Sequence, residues 1–256
     1  MIRLPVSAID VRLRLPDGAD EIAFNEGDPA TLPAALRLLA RLAVRDDGAA
    51  ADWSLLPVTD FEILLLRVRD MLLGPVIASH VACPACRERV EVSFRIEDYI
   101  AAVRPASLPG LMPGPAEGWL ALAGAAFRLP LVADLLAVGQ TPRPGSALRA
   151  RCLAAGTDTK QRRRIEGVIA RLAPPVSGPV GGACPACGAT LQALFDVAGF
   201  VVTELRRLGA GVYADVHLLA TAYGWAEAAI LALPGARRRH YAEMVRGDAR
   251  GQNLAA

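Results

Sequence analysis

Two stretches of the chain, HVACPACRERVEVSF at residues 80–94 and GGACPACGATLQALF at residues 181–195, contain the same CPAC tetrapeptide. Each stretch supplies one C-x2-C pair, at Cys83 and Cys86 and at Cys184 and Cys187. A tetrahedral structural metal site takes four ligands, so each pair alone offers half a site. The two pairs together predict one four-cysteine site for a single structural Zn²⁺.

The similarity of the two stretches extends beyond the cysteines. When the CPAC motifs are superposed, apolar residues match at every second position: Val90 on Leu191, Val92 on Ala193, Phe94 on Phe195 and Ile96 on Val197. We interpret this alternation as a strand that leaves each knuckle. Pairing the halves across a pseudo-twofold would bury both apolar flanks, giving a zinc ribbon that is split by a long excursion of the chain.

A metal site is the leading interpretation of these cysteines, and it has one rival. A C-x-x-C pair can also be a redox dithiol, but such a motif normally occurs once, at the head of a helix. Here Cys83 and Cys86 lie between two strand patterns. A catalytic zinc is not expected, because four thiolates leave no open coordination position. The fifth cysteine, Cys152, is predicted to be a buried small apolar residue.

Composition excludes several broad classes. The 256 residues have a net charge of +2, so the chain as a whole does not predict nucleic-acid binding. The longest apolar run, residues 119–138, is interrupted by Arg128, Pro130 and Asp134, and we expect no membrane span. The first residues carry charges and prolines where a signal peptide would be apolar, so we expect a reducing cytoplasm to be the compartment of folding.

The remaining patterns predict an α+β fold. Alternation from Ile9 to Leu15, followed by a turn at residues 16–18, predicts an N-terminal hairpin. Apolar residues at helical spacing follow, in residues 31–44 and again in residues 61–72. We divide the sequence into four regions: 1–103 with the first knuckle, 104–182 as a mostly helical insertion, 183–209 completing the ribbon, and 210–256 as a helical partner-binding tail.

No catalytic constellation is present in the sequence. It contains no P-loop, no G-x-G-x-x-G and no G-x-S-x-G motif, so we predict a protein that is not an enzyme and has no small-molecule substrate. Two arginine clusters, at residues 160–167 and 236–241, have acidic neighbours that favour solvated helix faces or protein contacts. Nucleic acid is therefore not the expected partner, although a nucleic-acid-binding zinc ribbon remains the alternative.

Three blocks of the sequence resemble the T4-like phage baseplate hub assembly family and its relatives in contractile injection systems. The first block matches at Asp60, Leu64, Leu65, Arg67, Gly74, Ile77, Cys83, Pro84, Cys86 and Phe94. The second covers residues 127–138, where Leu131 stands in place of the family's usual threonine. The third lies in the tail and matches at His217, Leu219, Ala220, Tyr223, Trp225, Glu227, Ile230, Leu231, Leu233, Arg238 and Tyr241.

The resemblance implies a non-enzymatic protein that acts in baseplate or hub assembly of a phage-tail-like contractile particle. It implies other baseplate, hub or spike proteins as partners. It leaves open whether the protein stays in the finished particle or leaves after assembly.

The tail also has the composition of a protein-binding surface. Its candidate partner-binding residues are His217, Tyr223, Trp225, Glu227, Arg238 and Tyr241. Aromatic rings and arginines are common anchors of interfaces, and aromatic residues are only 5% of this chain. The competing interpretation is that these rings fill a small helical core, and one helix can serve both purposes.

Overall fold

A computed structural model of the chain describes residues 1–26, 32–122 and 124–254, with side chains up to residue 247. The chain forms two compact units, one of Met1–Arg12 and Val44–Val197 and the other of Leu13–Ala43 and Ala198–Ala256. Each unit therefore takes residues from more than one of the four regions predicted above.

Short strands and helices follow one another along the described residues. In chain order, the strands are β1 (Ile2–Arg3), β2 (Asp10–Leu13), β3 (Ala43–Arg45), β4 (Val76–Ala82), β5 (Arg89–Arg95), β6 (Met112–Pro113), β7 (Trp119–Leu122), β8 (Ala125–Arg128), β9 (Gly178–Ala183) and β10 (Thr190–Phe195). The helices are α1 (Gly18–Asn25), α2 (Leu32–Leu42), α3 (Val58–Leu73), α4 (Ile96–Ala102), α5 (Val132–Val138), α6 (Pro144–Cys152), α7 (Thr159–Leu172), α8 (Val197–Gly209), α9 (Val212–Tyr223), α10 (Glu227–Leu231) and α11 (Gly235–Leu254).

The N-terminal hairpin is present, but its turn differs from the predicted one. Strands β1 and β2 are antiparallel, so the turn precedes β2 instead of following it. The expected turn at residues 16–18 is the start of α1, where the Asp17 side chain accepts a hydrogen bond of 2.9 Å from the Asp20 amide. Aspartate suits both a turn and a helix N-cap, which is why the local sequence misleads.

Helix α3 is the centre of the first unit. Its apolar face contributes Phe61, Leu64 and Leu65 to the core, and it ends at Gly74, whose positive φ of 87° suits glycine. Buried polar residues on the same helix form hydrogen bonds with backbone groups that are remote in sequence. Asp60 accepts hydrogen bonds from the amides of residues 6 and 7, at 2.9 and 2.6 Å.

Two antiparallel hairpins of the first unit carry the CPAC motifs. Strands β4 and β5 pair over their full length, with Ile77 opposite Phe94, and β9 and β10 pair in the same way. Each hairpin is a two-stranded sheet. The hairpins place both motifs at turns between strands, as the alternating patterns predict.

Residues 104–182 contain helices α5, α6 and α7, together with a small three-stranded sheet of β6, β7 and β8. Their core forms around Phe127, Leu153 and Ile165. Burial alone would raise the pKa of Asp134, but hydrogen bonds from Arg128 and Arg151 outweigh it and lower this pKa to about 2. This ion-pair cluster gives Arg128 and Asp134, both in the second block of the resemblance, a structural role.

The second unit is helical. Leu219, Ile230 and Ala242 form a buried cluster between α9, α10 and α11. The α+β class, with an N-terminal hairpin, paired knuckle hairpins and a helical C-terminal region, is therefore confirmed. Within the described ranges, no helix combines the length and the apolar character needed to cross a bilayer.

Candidate metal centre

The two knuckles have the same backbone hydrogen bonds. In the first, the Cys83 amide donates to Glu88 O at 2.8 Å and the Arg87 amide donates to Cys83 O at 2.9 Å. In the second, Cys184 and Gly188 make the equivalent bonds, both at 2.8 Å, the former to Ala189 O. Arg87 and Gly188 both have positive φ, at 62° and 74°. The repeat seen in the sequence is therefore also a repeat of backbone geometry.

The four thiols of the two knuckles converge. The Sγ atoms of Cys83, Cys86, Cys184 and Cys187 all lie within 4.8 Å of one another. Two contacts run between the hairpins: Cys83 to Cys187 at 3.7 Å and Cys86 to Cys184 at 3.8 Å. A tetrahedral zinc with Zn–S bonds of about 2.3 Å requires sulfurs about 3.8 Å apart. The four cysteines are positioned to bind a metal ion.

The charge balance of the cluster also favours a cation. Amides of Cys86 and Ala85 direct their dipoles at the Cys83 sulfur and lower the pKa of that thiol to about 6. The Glu88 amide lowers the pKa of Cys86, but the neighbouring thiols and burial outweigh it and raise that pKa to about 12. Four thiols this close cannot all ionise unless positive charge lies between them. A bound metal ion would supply that charge.

Apolar packing continues from the cysteines along both hairpins. Val90 and Leu191 are buried together with Cys83 and Cys184. At the other end of the hairpins, Phe94 and Phe195 meet edge to face with ring centroids 5.4 Å apart. These are the residue pairs that the superposed sequences equate. The pseudo-twofold relation therefore brings equivalent residues into contact across the interface of the hairpins.

Helix α3 holds the base of each hairpin through one buried side chain. Arg69 donates to the carbonyl oxygens of Gly74 and Val76, at 2.5 and 2.7 Å, where β4 begins. Glu62 accepts hydrogen bonds from the amides of Val176 and Ser177, at 3.2 and 3.0 Å, and from the Ser177 hydroxyl at 2.6 Å, just before β9. The hairpins are thus fixed at both ends, by α3 at the base and by the cysteines at the turns.

Stability should depend on pH through Glu62. Burial raises the pKa of this carboxyl above its ordinary 4.5, so folding makes ionisation of Glu62 less favourable than it is in the unfolded chain. Its contribution is fully present below the unfolded pKa and is lost as pH rises through the folded pKa. We expect the wild-type free energy of unfolding, relative to Glu62→Gln, to fall as pH rises above the ordinary pKa of 4.5, as measured by urea denaturation.

A matched control for this prediction is Glu97→Gln. The Arg67 guanidinium, which bonds the Glu97 carboxylate, lowers the pKa of Glu97, so this pair loses stability as pH falls. The relative pH dependence of the control should have the opposite sign. The same slope in both variants would contradict the assigned role of Glu62.

The described residues contain one cluster of three or more cysteine, histidine or acidic side chains with metal-binding spacing, and it is the four-cysteine site. Four thiolates saturate a tetrahedral ion, so this centre can organise structure but offers no position for a reacting water. Cys152 is buried at 4% exposure and takes no part in it.

The candidate partner-binding residues of the tail lie in the second unit, and most of them reach solvent. His217, Tyr223, Trp225 and Glu227 are exposed, and Tyr241 is half-buried. The Trp225 ring contacts both tyrosines, with centroid distances of 5.0 Å to Tyr223 and 5.3 Å to Tyr241. The rings form one surface cluster, next to the helical core.

Arg238 is not part of this surface cluster, because its side chain is only 1% exposed. It donates from Nη2 to Glu21, and its Nε lies 3.7 Å from a carboxylate oxygen of Asp215. In this structure Arg238 cannot reach a partner, and it serves as the cation of a buried ion cluster. Its sequence context, an arginine among arginines on a helix, gives no sign of this.

Glycines make room for the buried cluster. A Cβ at Gly18 would lie 2.7 Å from Arg238 Nη1, and one at Gly235 would lie 2.1 Å from Glu21 Oε1. Both separations are too short for any side chain. Neither Glu21 nor Asp215 stands out in the sequence, because Glu21 follows another acidic residue, Asp20, and Asp215 is near His217 in its helix.

The comparisons with known proteins do not assign the chain to a family. Comparison with protein-family models, with curated proteins and with solved structures finds no match. The resemblance to a baseplate hub assembly family therefore stays a prediction that rests on the residues of its three blocks.

Proposed function

We propose that this protein is a non-enzymatic structural or assembly protein whose shape is fixed by one structural Zn²⁺. The observation that carries the proposal is the convergence of four thiols from knuckles that are remote in sequence, with contacting cysteines 98 and 104 residues apart. Soft thiolate ligands in a tetrahedron favour zinc or iron over harder divalent cations. The sulfur separations of 3.7 and 3.8 Å agree with a single zinc ion.

A metal in this position supports binding, because it removes conformational freedom from the surface of the two hairpins before a partner binds. Preorganised surfaces lose less entropy on association than flexible ones. The zinc would fix two hairpins that are remote in sequence, while the exposed aromatic cluster of the second unit offers anchors for another protein. Both features suit a component that is built into a larger assembly.

The assembly that we propose is the baseplate or hub of a phage-tail-like contractile injection system. The support is the three-block resemblance, together with structural roles for several of its residues: Cys83 and Cys86 at the metal centre, and Asp60 at a buried backbone anchor. Other baseplate, hub or spike proteins would be the partners. The protein would act in the bacterial cytoplasm during assembly and could remain in the particle.

Deletion and complementation of the gene test this proposal. In a bacterium that makes contractile particles and encodes this protein, we expect deletion to abolish complete particles in negative-stain electron microscopy. The wild-type gene and the matched control Cys152→Ala should restore them, whereas Cys184→Ser should not. Normal particles in the deletion strain would contradict an assembly role, and full rescue by Cys184→Ser would contradict the role of the metal.

The second candidate function is nucleic-acid binding, and one observation favours it. Lys160, Arg162, Arg163 and Arg164 are all exposed at the start of α7. Phosphate contacts weaken steeply with salt, so a mobility shift measured at two salt concentrations separates the candidates. If the protein is a structural or assembly protein, we expect no mobility shift at either concentration. A salt-sensitive shift would favour nucleic-acid binding.

A further inference from the structure

The two knuckle hairpins differ in the side chains that they present to solvent. On β5 the outward residues are Arg89, Glu91, Ser93 and Arg95, three of them charged. The outward residues of β10 are Thr190, Gln192 and Leu194, none of them charged. Leu194 is 80% exposed, more than any other large apolar side chain of the described residues except the N-terminal methionine.

Strand β9 contributes only small side chains to this outer face. Its sequence, GPVGGA, places Pro179 opposite Leu194 and Gly181 opposite Gln192. A Cβ at Gly181 would lie 2.0 Å from the Leu191 carbonyl oxygen, so the close approach of β9 and β10 requires a glycine there. No side chain of β9 can therefore extend over Gln192 at this position.

Each hairpin is a two-stranded sheet, so β10 pairs with β9 along one edge and with no strand of the described residues along the other. Proteins usually protect such an edge with charged side chains, prolines or bulges. Strand β5 has the charges, whereas TLQALF has no charge, no proline and no glycine, which is the composition of a segment prone to strand pairing.

We propose that the open edge of β10 pairs with β10 of a second copy of this chain, giving a β9-β10-β10-β9 sheet about a twofold axis at Gln192. The open edge of β10 is complementary to itself. An antiparallel pair with this axis places Gln192 opposite its own copy, and an amide both donates and accepts hydrogen bonds. It also places Leu194 opposite Thr190 of the other copy, which gives the exposed side chain a cross-strand contact.

The same arrangement is unfavourable for the first hairpin. An equivalent axis at Glu91 would place two carboxylates directly opposite each other, and like charges opposed across strands are destabilising. The two knuckle hairpins therefore differ in edge protection: the edge of β5 is protected by charge, and the edge of β10 is not. Six residues of strand make a small interface, so we expect a dimer that dissociates on dilution. The proposal stands independently of the contractile-particle assignment.

Charge substitutions at Gln192 test the proposal by sedimentation velocity at increasing protein concentration. Wild type should show a concentration-dependent dimer. Gln192→Glu alone and Gln192→Lys alone should each weaken the dimer by about fivefold, because each places like charges across the axis. An equimolar mixture of the two variants should regain dimer, since the charges are then opposite. Glu91→Lys, the matched change on the first hairpin, should leave the dimer unchanged.

Each other outcome overturns the proposal. A wild-type protein that stays monomeric at all concentrations excludes the interface. A dimer that is as strong in both Gln192 variants as in wild type places the contact elsewhere, and so does a dimer that Glu91→Lys weakens as much as the Gln192 variants do. A dimer that is weakened in both single variants and does not recover in the mixture excludes twofold pairing at this residue.

Discussion

Cys184→Ser should abolish stoichiometric metal binding and remove the metal-dependent part of the stability of the first unit. Structural zinc sites bind with apparent free energies of about 10–16 kcal/mol, and ligand binding stabilises the folded state by mass action. At free zinc about a thousandfold above the dissociation constant, this linkage amounts to about 4 kcal/mol. A serine hydroxyl does not replace a thiolate, so three ligands would remain.

The measurement is urea denaturation with and without a strong chelator. Chelation should lower the free energy of unfolding of wild type by about 4 kcal/mol or more and should leave Cys184→Ser unchanged. Cys152→Ala is the matched control, because it removes a buried thiol outside the cluster and should respond to chelator as wild type does. Equal chelator responses of wild type and Cys184→Ser would show that Cys184 is not a ligand.

The second large effect is expected at Arg238. Replacing it by methionine keeps much of its volume but leaves Glu21 and Asp215 buried beside an uncharged side chain. Breaking a buried ion pair by removing one partner costs about 3–5 kcal/mol. Arg239 and Arg246 also pair with these acids, at 3.6 and 2.7 Å, but both are roughly half exposed and cannot replace a cation at the centre of the cluster.

Denaturation followed by the helical circular dichroism signal measures this loss. Arg237→Met, on the exposed side of the same helix, is the control and should change stability by no more than about 0.5 kcal/mol. If Arg238→Met unfolds at the same urea concentration as the control, the buried cluster does not stabilise the second unit. A failure of Arg238→Met to fold agrees with the prediction.

The metal centre could be predicted from sequence because its determinants are local and duplicated. A C-x2-C pair between two strand patterns supplies half of a four-cysteine site, and a second identical pair supplies the missing ligands whatever the distance between them. The strands that leave each knuckle were predictable for a related reason. Val90 and Leu191 alternate with polar neighbours, and a period of two directs every second side chain to one face.

Other features depend on contacts that no local pattern encodes. Glu62 and Asp60 lie in a helix that also carries other charged residues, and their spacing alone does not distinguish a solvated carboxylate from one that accepts backbone hydrogen bonds. Arg238 is the clearest case, since its neighbours Arg237 and Arg239 are exposed on the same helix. Its burial follows from acids on α1 and α9, which are remote in sequence.

The turn at residues 16–18 illustrates a third limit. Pro16, Asp17 and Gly18 suit a hairpin turn, and the same aspartate suits a helix N-cap. The outcome depends on Asp20, which also receives hydrogen bonds from Arg14 and Arg41 at 2.6 and 3.2 Å. Tertiary ion pairing therefore selected between two locally acceptable structures.

The central claim is that sulfurs from both hairpins bind one ion. Elemental analysis of purified protein combined with X-ray absorption spectroscopy at the metal edge tests it most directly. We predict one zinc per chain, coordinated by four sulfurs at about 2.3 Å. A chain that contains no stoichiometric metal, or a metal with fewer than four sulfur ligands, would contradict this claim.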